Sequence, residues 1–176
     1  SKLNGNLKMK KIIVILSILC IIQFELKAQA VVICNESFEN SVSWTVAPSY
    51  SWMPTTQLSA NGQKSYIGYI PAINNDSILL TTPFYNLSSY GYVFLKFNQI
   101  CKVNKSDLCV IEYRESFMGS QWKPLPYTSY QGTGRYTNTC FNDSSYNNWQ
   151  PNNLLAVPGN TWWQQEIFDI SNQVSF

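Results

Sequence analysis

The chain has 176 residues, 12 Lys and Arg against 10 Asp and Glu, a formal net charge of +2, and no histidine. Without imidazole, Ser-His and Cys-His nucleophilic pairs and His-ligated zinc are excluded. Charged residues are only 12% of the chain, and beyond residue 30 Lys and Arg are scattered rather than clustered, which argues against nucleic acid or an anionic membrane as partner.

Residues 1–8 precede Met9 and read as upstream, non-native sequence. Met9-Lys10-Lys11 opens a run of 11 residues, 12–22, apolar except for Ser17, and Ala28-Gln29-Ala30 follows. A basic head, a short apolar centre and a small-x-small exit predict a signal peptide over 9–30. The run is too short for a bilayer core of about 30 Å, which takes about 20 helical residues. Two rival readings are a buried core helix and a lipid anchor on Cys20, although Leu19 stands where a lipobox wants a small residue. The mature domain is expected to span 31–176, exported and then secreted or held at the cell surface, with no membrane insertion. It carries seven basic and nine acidic residues, a net charge of −2.

Across this domain no helical period of useful length occurs. Short β-rich runs recur between Gly, Pro, Asn and Ser punctuation, the pattern of an all-β sandwich. Strands are expected at 31–34, 43–46, 65–70, 77–81, 92–103, 108–115, 121–125 and 162–170. Within 92–103, Val93, Leu95, Phe97 and Gln99 alternate with Phe94, Lys96 and Asn98. A loop with Pro48 and Pro54 presents Tyr50 and Trp52. Residues 126–160 form a long Asn- and Tyr-rich excursion. It exceeds the roughly 12–15 residues that structureless loops usually reach, and such insertions often carry function. Tyr50, Trp52, Tyr130 and Trp149 are the candidate ligand-binding rings, suited to stacking on sugars or on a protein. The competing reading packs the excursion's rings onto the sandwich.

Four cysteines follow residue 30. A hairpin centred on Lys105 would set Cys101 opposite Cys109, with Cα atoms about 4.5–5.5 Å apart, a span a disulfide can bridge. Cys34 with Cys140 would follow by elimination. The alternative is that some remain buried thiols.

Several stretches also carry a resemblance. Asn35-Glu36-Ser37-Phe38-Glu39-Asn40 with Trp44 and Trp52 resembles the opening of MAM-like jelly-roll domains. Leu80-Thr81-Thr82-Pro83-Phe84-Tyr85-Asn86-Leu87-Ser88, followed by Leu95-Lys96-Phe97, is similar to their next segment. Ile111-Glu112-Tyr113-Arg114 with Gly119 to Leu125 resembles their Trp-x-x-Leu hairpin. The strand 162–171, ending Asp169-Ile170-Ser171, is similar to their Asp-Leu/Ile-Ser strand. The set most resembles cleaved-adhesin-like N-terminal domains of surface proteins exported by type IX secretion in gliding-type bacteria.

The resemblance implies a jelly-roll β-sandwich, MAM-like or galactose-binding-like, truncated here at its C-terminal strands and followed by downstream domains. It also implies a structural calcium at Glu36 and Glu39, and an O-glycan acceptor at Ser77 within Asp76-Ser77-Ile78. No other cofactor is expected.

The function expected from these readings is non-catalytic recognition or adhesion, directed at a glycan or a surface protein. The alternatives are a structural N-terminal spacer of a larger adhesin or secreted protease and, third, a glycosidase built on two carboxylates. Export makes a direct prediction. N-terminal sequencing of exported material should begin at Val31; material retaining 12–22, or lipidated at Cys20, contradicts the signal peptide.

Overall fold

A computed structural model describes residues 30–40, 43–69, 77–149 and 155–174. The signal segment 9–29 and the connection 70–76 lie outside them. The chain divides into two units, 1–34 and 35–176. In the first, the described residues 30–34 are exposed and form no strand, contrary to the strand expected at 31–34.

The second unit holds eight short strands: β1 (Thr45–Ala47), β2 (Trp52–Thr55), β3 (Ser65–Gly68), β4 (Leu79–Thr81), β5 (Phe94–Gln99), β6 (Glu112–Tyr113), β7 (Lys123–Pro124) and β8 (Gln164–Asp169). They pair antiparallel, two by two, as β1–β4, β2–β3, β5–β8 and β6–β7. Among the described residues helix is limited to three single 3₁₀ turns and α1 (Ser171–Val174). The fold is thus a set of short antiparallel two-stranded sheets with little helix.

Strand β5 shows why these residues pair as they do. Leu95 and Phe97 are half-buried while Phe94 and Lys96 are exposed, the period-two pattern of a strand with one covered face. Across the ladder Leu95 faces Phe168 and Phe97 faces Glu166. The rings of Phe97 and Phe168 lie parallel with centroids 6.2 Å apart. The ladder is extended beyond β5 by Ile170, whose N–H donates to Val93 O at 2.9 Å. Asp169 Oδ1 accepts from the Ser171 hydroxyl at 2.6 Å, and Ser171 Oγ accepts from Val93 N–H at 3.0 Å. That is the physical content of the Asp-Ile-Ser motif: it locks the end of β8 against the start of β5.

The other edge of β8 is taken by the excursion. Tyr130 bridges Phe168, and Gln131 N–H donates to Ile167 O at 2.8 Å. Further along, Asn138 and Thr139 both adopt positive φ, 52° and 59°, between the bridged residues Thr137 and Cys140. Two consecutive left-handed residues make the tight reversal whose twist matches antiparallel strands. Phe141 then exchanges both backbone hydrogen bonds with Cys109, each at 2.8 Å.

The excursion therefore supplies about half of the core. Phe141, Trp149, Phe168 and Leu125 are buried almost completely, with Tyr136 and Trp162 close behind. Tyr136 stands edge-on to Phe168, centroids 5.0 Å apart, and lies 4.7 Å from Phe141. Its hydroxyl donates to Leu125 O at 2.8 Å, which satisfies the one polar atom of a buried ring. Trp149 does the same: its Nε1–H donates to Trp162 O at 2.9 Å.

Trp149 is therefore a packing residue of the core, a correction to its expected role as an open ligand ring. Truncating a fully buried Trp costs about 3–5 kcal/mol. Trp149→Ala is expected to lower stability by about that amount in urea unfolding. A change below about 1 kcal/mol, the scale of surface substitutions, would contradict this placement.

Candidate functional site

One exposed aromatic is presented on unusual backbone. Ser51 N–H donates to Pro48 O at 3.1 Å, closing a turn with Tyr50 at its third position. Tyr50 has φ 69° and is 86% exposed. That turn position with positive φ ordinarily takes Gly or Asn. A bulky residue there is an outlier, and such strain costs about 1–3 kcal/mol and collects at functional sites.

The residues beneath the tip are paired in a ladder. Tyr69 N–H donates to Ser51 O at 2.9 Å, continuing the β2–β3 ladder. Trp52 is the first residue of β2, a correction to the expected loop position, and it is half-buried. Its indole lies directly over Gly68: a Cβ there would stand 2.9 Å from Trp52 ring carbons and from Ile78 Cδ1. Gly68 is thus the seat of the Trp52 ring. Ser51 Oγ and Trp52 Nε1 are buried with no hydrogen-bond partner among the described residues. Unsatisfied buried polar groups are uncommon in native folds. The candidate site is this turn, with Tyr50 exposed beside two residues whose buried polar atoms have no hydrogen-bond partner among the described residues.

The opening motif supports the same hairpin from the side. Phe38, at φ 61°, packs against Trp44 and Tyr66 with centroids 5.2 and 4.9 Å away. Glu36 Oε1 accepts from Phe38 N–H at 2.7 Å. Glu39 Oε1 accepts from the N–H groups of Gln63 at 2.7 Å and Lys64 at 2.9 Å. Gly62, at φ 74°, has no room for a Cβ beside Glu39 Oε1. The amides of Lys64 and then Gln63 hold the Glu39 carboxyl below its ordinary range. One oxygen of each expected calcium ligand is thus engaged by backbone. Among the described residues no three His, Cys, Asp or Glu side chains gather as a metal site.

Tyr130, expected as an open ring, is instead turned inward. Its hydroxyl donates to Glu166 Oε2 at 2.6 Å and accepts from Gly134 N–H at 2.9 Å. Tyr146 lies 3.0 Å from both Glu166 oxygens, and Gln99 Nε2 donates to Oε1 at 3.1 Å. Glu166 is completely buried. Gly132 and Gly134 have no room for a Cβ against the Tyr130 and Tyr146 rings. Sequence reasoning missed this constellation. Its signal was Glu166 on the same strand face as Phe168, two residues apart, with a Tyr-rich segment nearby in sequence.

The thiols show a related departure. The turn at 104–107 forms, with Asp107 N–H donating to Asn104 O at 2.9 Å. The flanking strands do not pair across it, because Cys109 gives both ladder bonds to Phe141 and β5 pairs with β8. Cys101 and Cys109 nevertheless lie close enough for their side chains to interact, which holds Cys109 below its usual range and pushes Cys101 up. Cys140 Sγ donates to Thr137 O at 3.2 Å, and burial pushes its thiol up. Cys34 is exposed in the first unit. Ser77 is exposed at the start of the described stretch 77–149, and its neighbour Asp76 lies outside it.

The tyrosine network has a pH signature. Burial, then the bond to Glu166, raises the Tyr130 phenol, and burial raises Tyr146. Groups raised above their ordinary value of 10.0 give full stability below that pH and lose it above. Stability should fall above pH 10 in step with tyrosinate absorbance, and Tyr130→Phe should shift that fall. Tyrosines that all titrate normally within the folded protein would contradict the network.

Among the described residues no helix is long and apolar enough to cross a membrane. No protein-family model matches the chain, and no curated protein or solved structure matches it.

Proposed function

We propose that the chain is an exported, non-catalytic recognition or adhesion module on a jelly-roll sandwich, contacting a glycan or a surface protein through Tyr50 and the turn that carries it. The observation that carries this reading is Tyr50 itself, a large ring 86% exposed at φ 69°. Stability alone would favour Gly there. Binding centres concentrate their energy in a few Tyr and Trp side chains. Trp52, seated on Gly68, would support the turn and lend its edge to the contact.

The structural-spacer reading keeps a specific observation in its favour. Two of the four expected rings, Tyr130 and Trp149, face the interior. A spacer needs only a stable fold, and both rings serve that. Structural calcium at Glu36 and Glu39, O-glycosylation of Ser77 and downstream domains belong to the same proposal, on the resemblance alone.

The test is Tyr50→Ala and Tyr50→Gly, read for melting temperature and for retention on a glycan and cell-surface panel. Lost retention, by about 2 kcal/mol for a binding centre, with melting unchanged or raised, is the expected outcome. Wild-type protein retained by nothing on the panel would leave the spacer.

A further inference from the structure

The β6–β7 hairpin carries a second constellation, remote in sequence from Tyr50. Its turn passes through Gly119 at φ 85°. Ladder pairs Glu112–Pro124 and Tyr113–Lys123 put Arg114 and Trp122 at the next rung. The Arg114 guanidinium carbon lies 4.7 Å from the centroid of the Trp122 ring and 5.1 Å from that of Phe84. All three are open to solvent, Phe84 57% and Trp122 39% exposed.

The neighbouring cation is satisfied differently. Lys123 Nζ pairs with Glu115 Oε1 at 3.2 Å, and that carboxylate also accepts from Ser120 Oγ at 3.0 Å. Nothing comparable engages Arg114: among the described residues no oxygen accepts from its guanidinium. Glu112, two residues along the same strand face, makes no ion pair with it.

The Arg114 guanidinium is attracted to the faces of both rings. Its edge is a planar fork of N–H donors that matches a carboxylate two bonds at a time. The two exposed rings beside it offer apolar surface to whatever carries that carboxylate.

We propose that Arg114, Phe84 and Trp122 form a binding site for a carboxylated sugar, a uronic-acid-type residue whose carboxylate docks on the guanidinium edge while its C–H face lies along the rings. The saccharide as carrier rests on the recognition reading above; the carboxylate rests on the guanidinium alone. A lysine at 114 would keep the charge and lose the fork.

The experiment uses the full chain and three probes: an oligogalacturonate, its neutral methyl ester, and a sulfated oligosaccharide of equal charge. Binding is measured for wild type, Arg114→Lys, Arg114→Ala and Tyr50→Ala, with melting temperature alongside. The expected result is oligogalacturonate binding that falls by about tenfold or more in both Arg114 variants at unchanged melting, since hydrogen bonds to charged groups carry that much. The methyl ester should not compete, and binding should weaken as salt is raised.

Arg114→Ala binding as well as wild type, equal or tighter binding of the sulfated probe, or no wild-type binding of oligogalacturonate overturns the proposal. The two readings fail separately. Neutral-glycan retention that depends on Tyr50 and not on Arg114 leaves the proposed function standing and removes this site. Oligogalacturonate binding that depends on Arg114 and not on Tyr50 keeps this site and removes Tyr50 as the contact.

Discussion

A carboxyl group buried at the inner face of the β5–β8 ladder, with no ion pair among the described residues, organises this molecule. Glu166 shares its strand face with Phe168, so the strand that supplies the core also buries an acid. Burying a carboxylate is costly unless its oxygens are hydrogen-bonded. Two phenols from the excursion and one amide from β5 meet that demand. Satisfying Glu166 fixes where Tyr130 and Tyr146 go, and Tyr146 in turn stands edge-on to Trp149, centroids 4.7 Å apart. The path of residues 126–149 follows from those attachments, and glycines stand where the rings pass close to backbone.

Much of the local structure was legible in the sequence. The alternation at 92–103 located β5 and its covered face, and the Gly119 turn located the β6–β7 hairpin. The end of β8 was readable from Asp169-Ile170-Ser171. What could not be read was partnership. Alternation says which residues face inward but not which strand lies alongside. The turn at Lys105 therefore suggested a ladder that Phe141 occupies instead. Trp52 was obscured by Pro48 and Pro54, which read as loop punctuation although an edge strand tolerates proline.

The four candidate rings divide by the same logic. Tyr130 and Trp149 sit among amides and hydroxyls in sequence, which looked like an open surface. Their polar atoms instead find buried acceptors, Glu166 and Trp162 O, and so their rings could be enclosed. Tyr50 has no such acceptor among the described residues: it stands at positive φ on a turn that leaves it exposed. Composition alone cannot separate these cases. Hydrogen-bond bookkeeping across distant segments can, and only the folded chain supplies it.

The ladder between β5 and β8 has a consequence for the order of events during synthesis. Phe94 pairs with Asp169, and Cys109 with Phe141. Hairpins such as β2–β3 and β6–β7 close short loops and can form early. The aromatic core joins distant segments, and non-local contacts of this kind form slowly. Until β8 emerges, Glu166 has not arrived, and the surroundings of Cys101, Cys109 and Cys140 stay open. The interval before β8 docks is therefore the window in which these three thiols remain accessible to reagents.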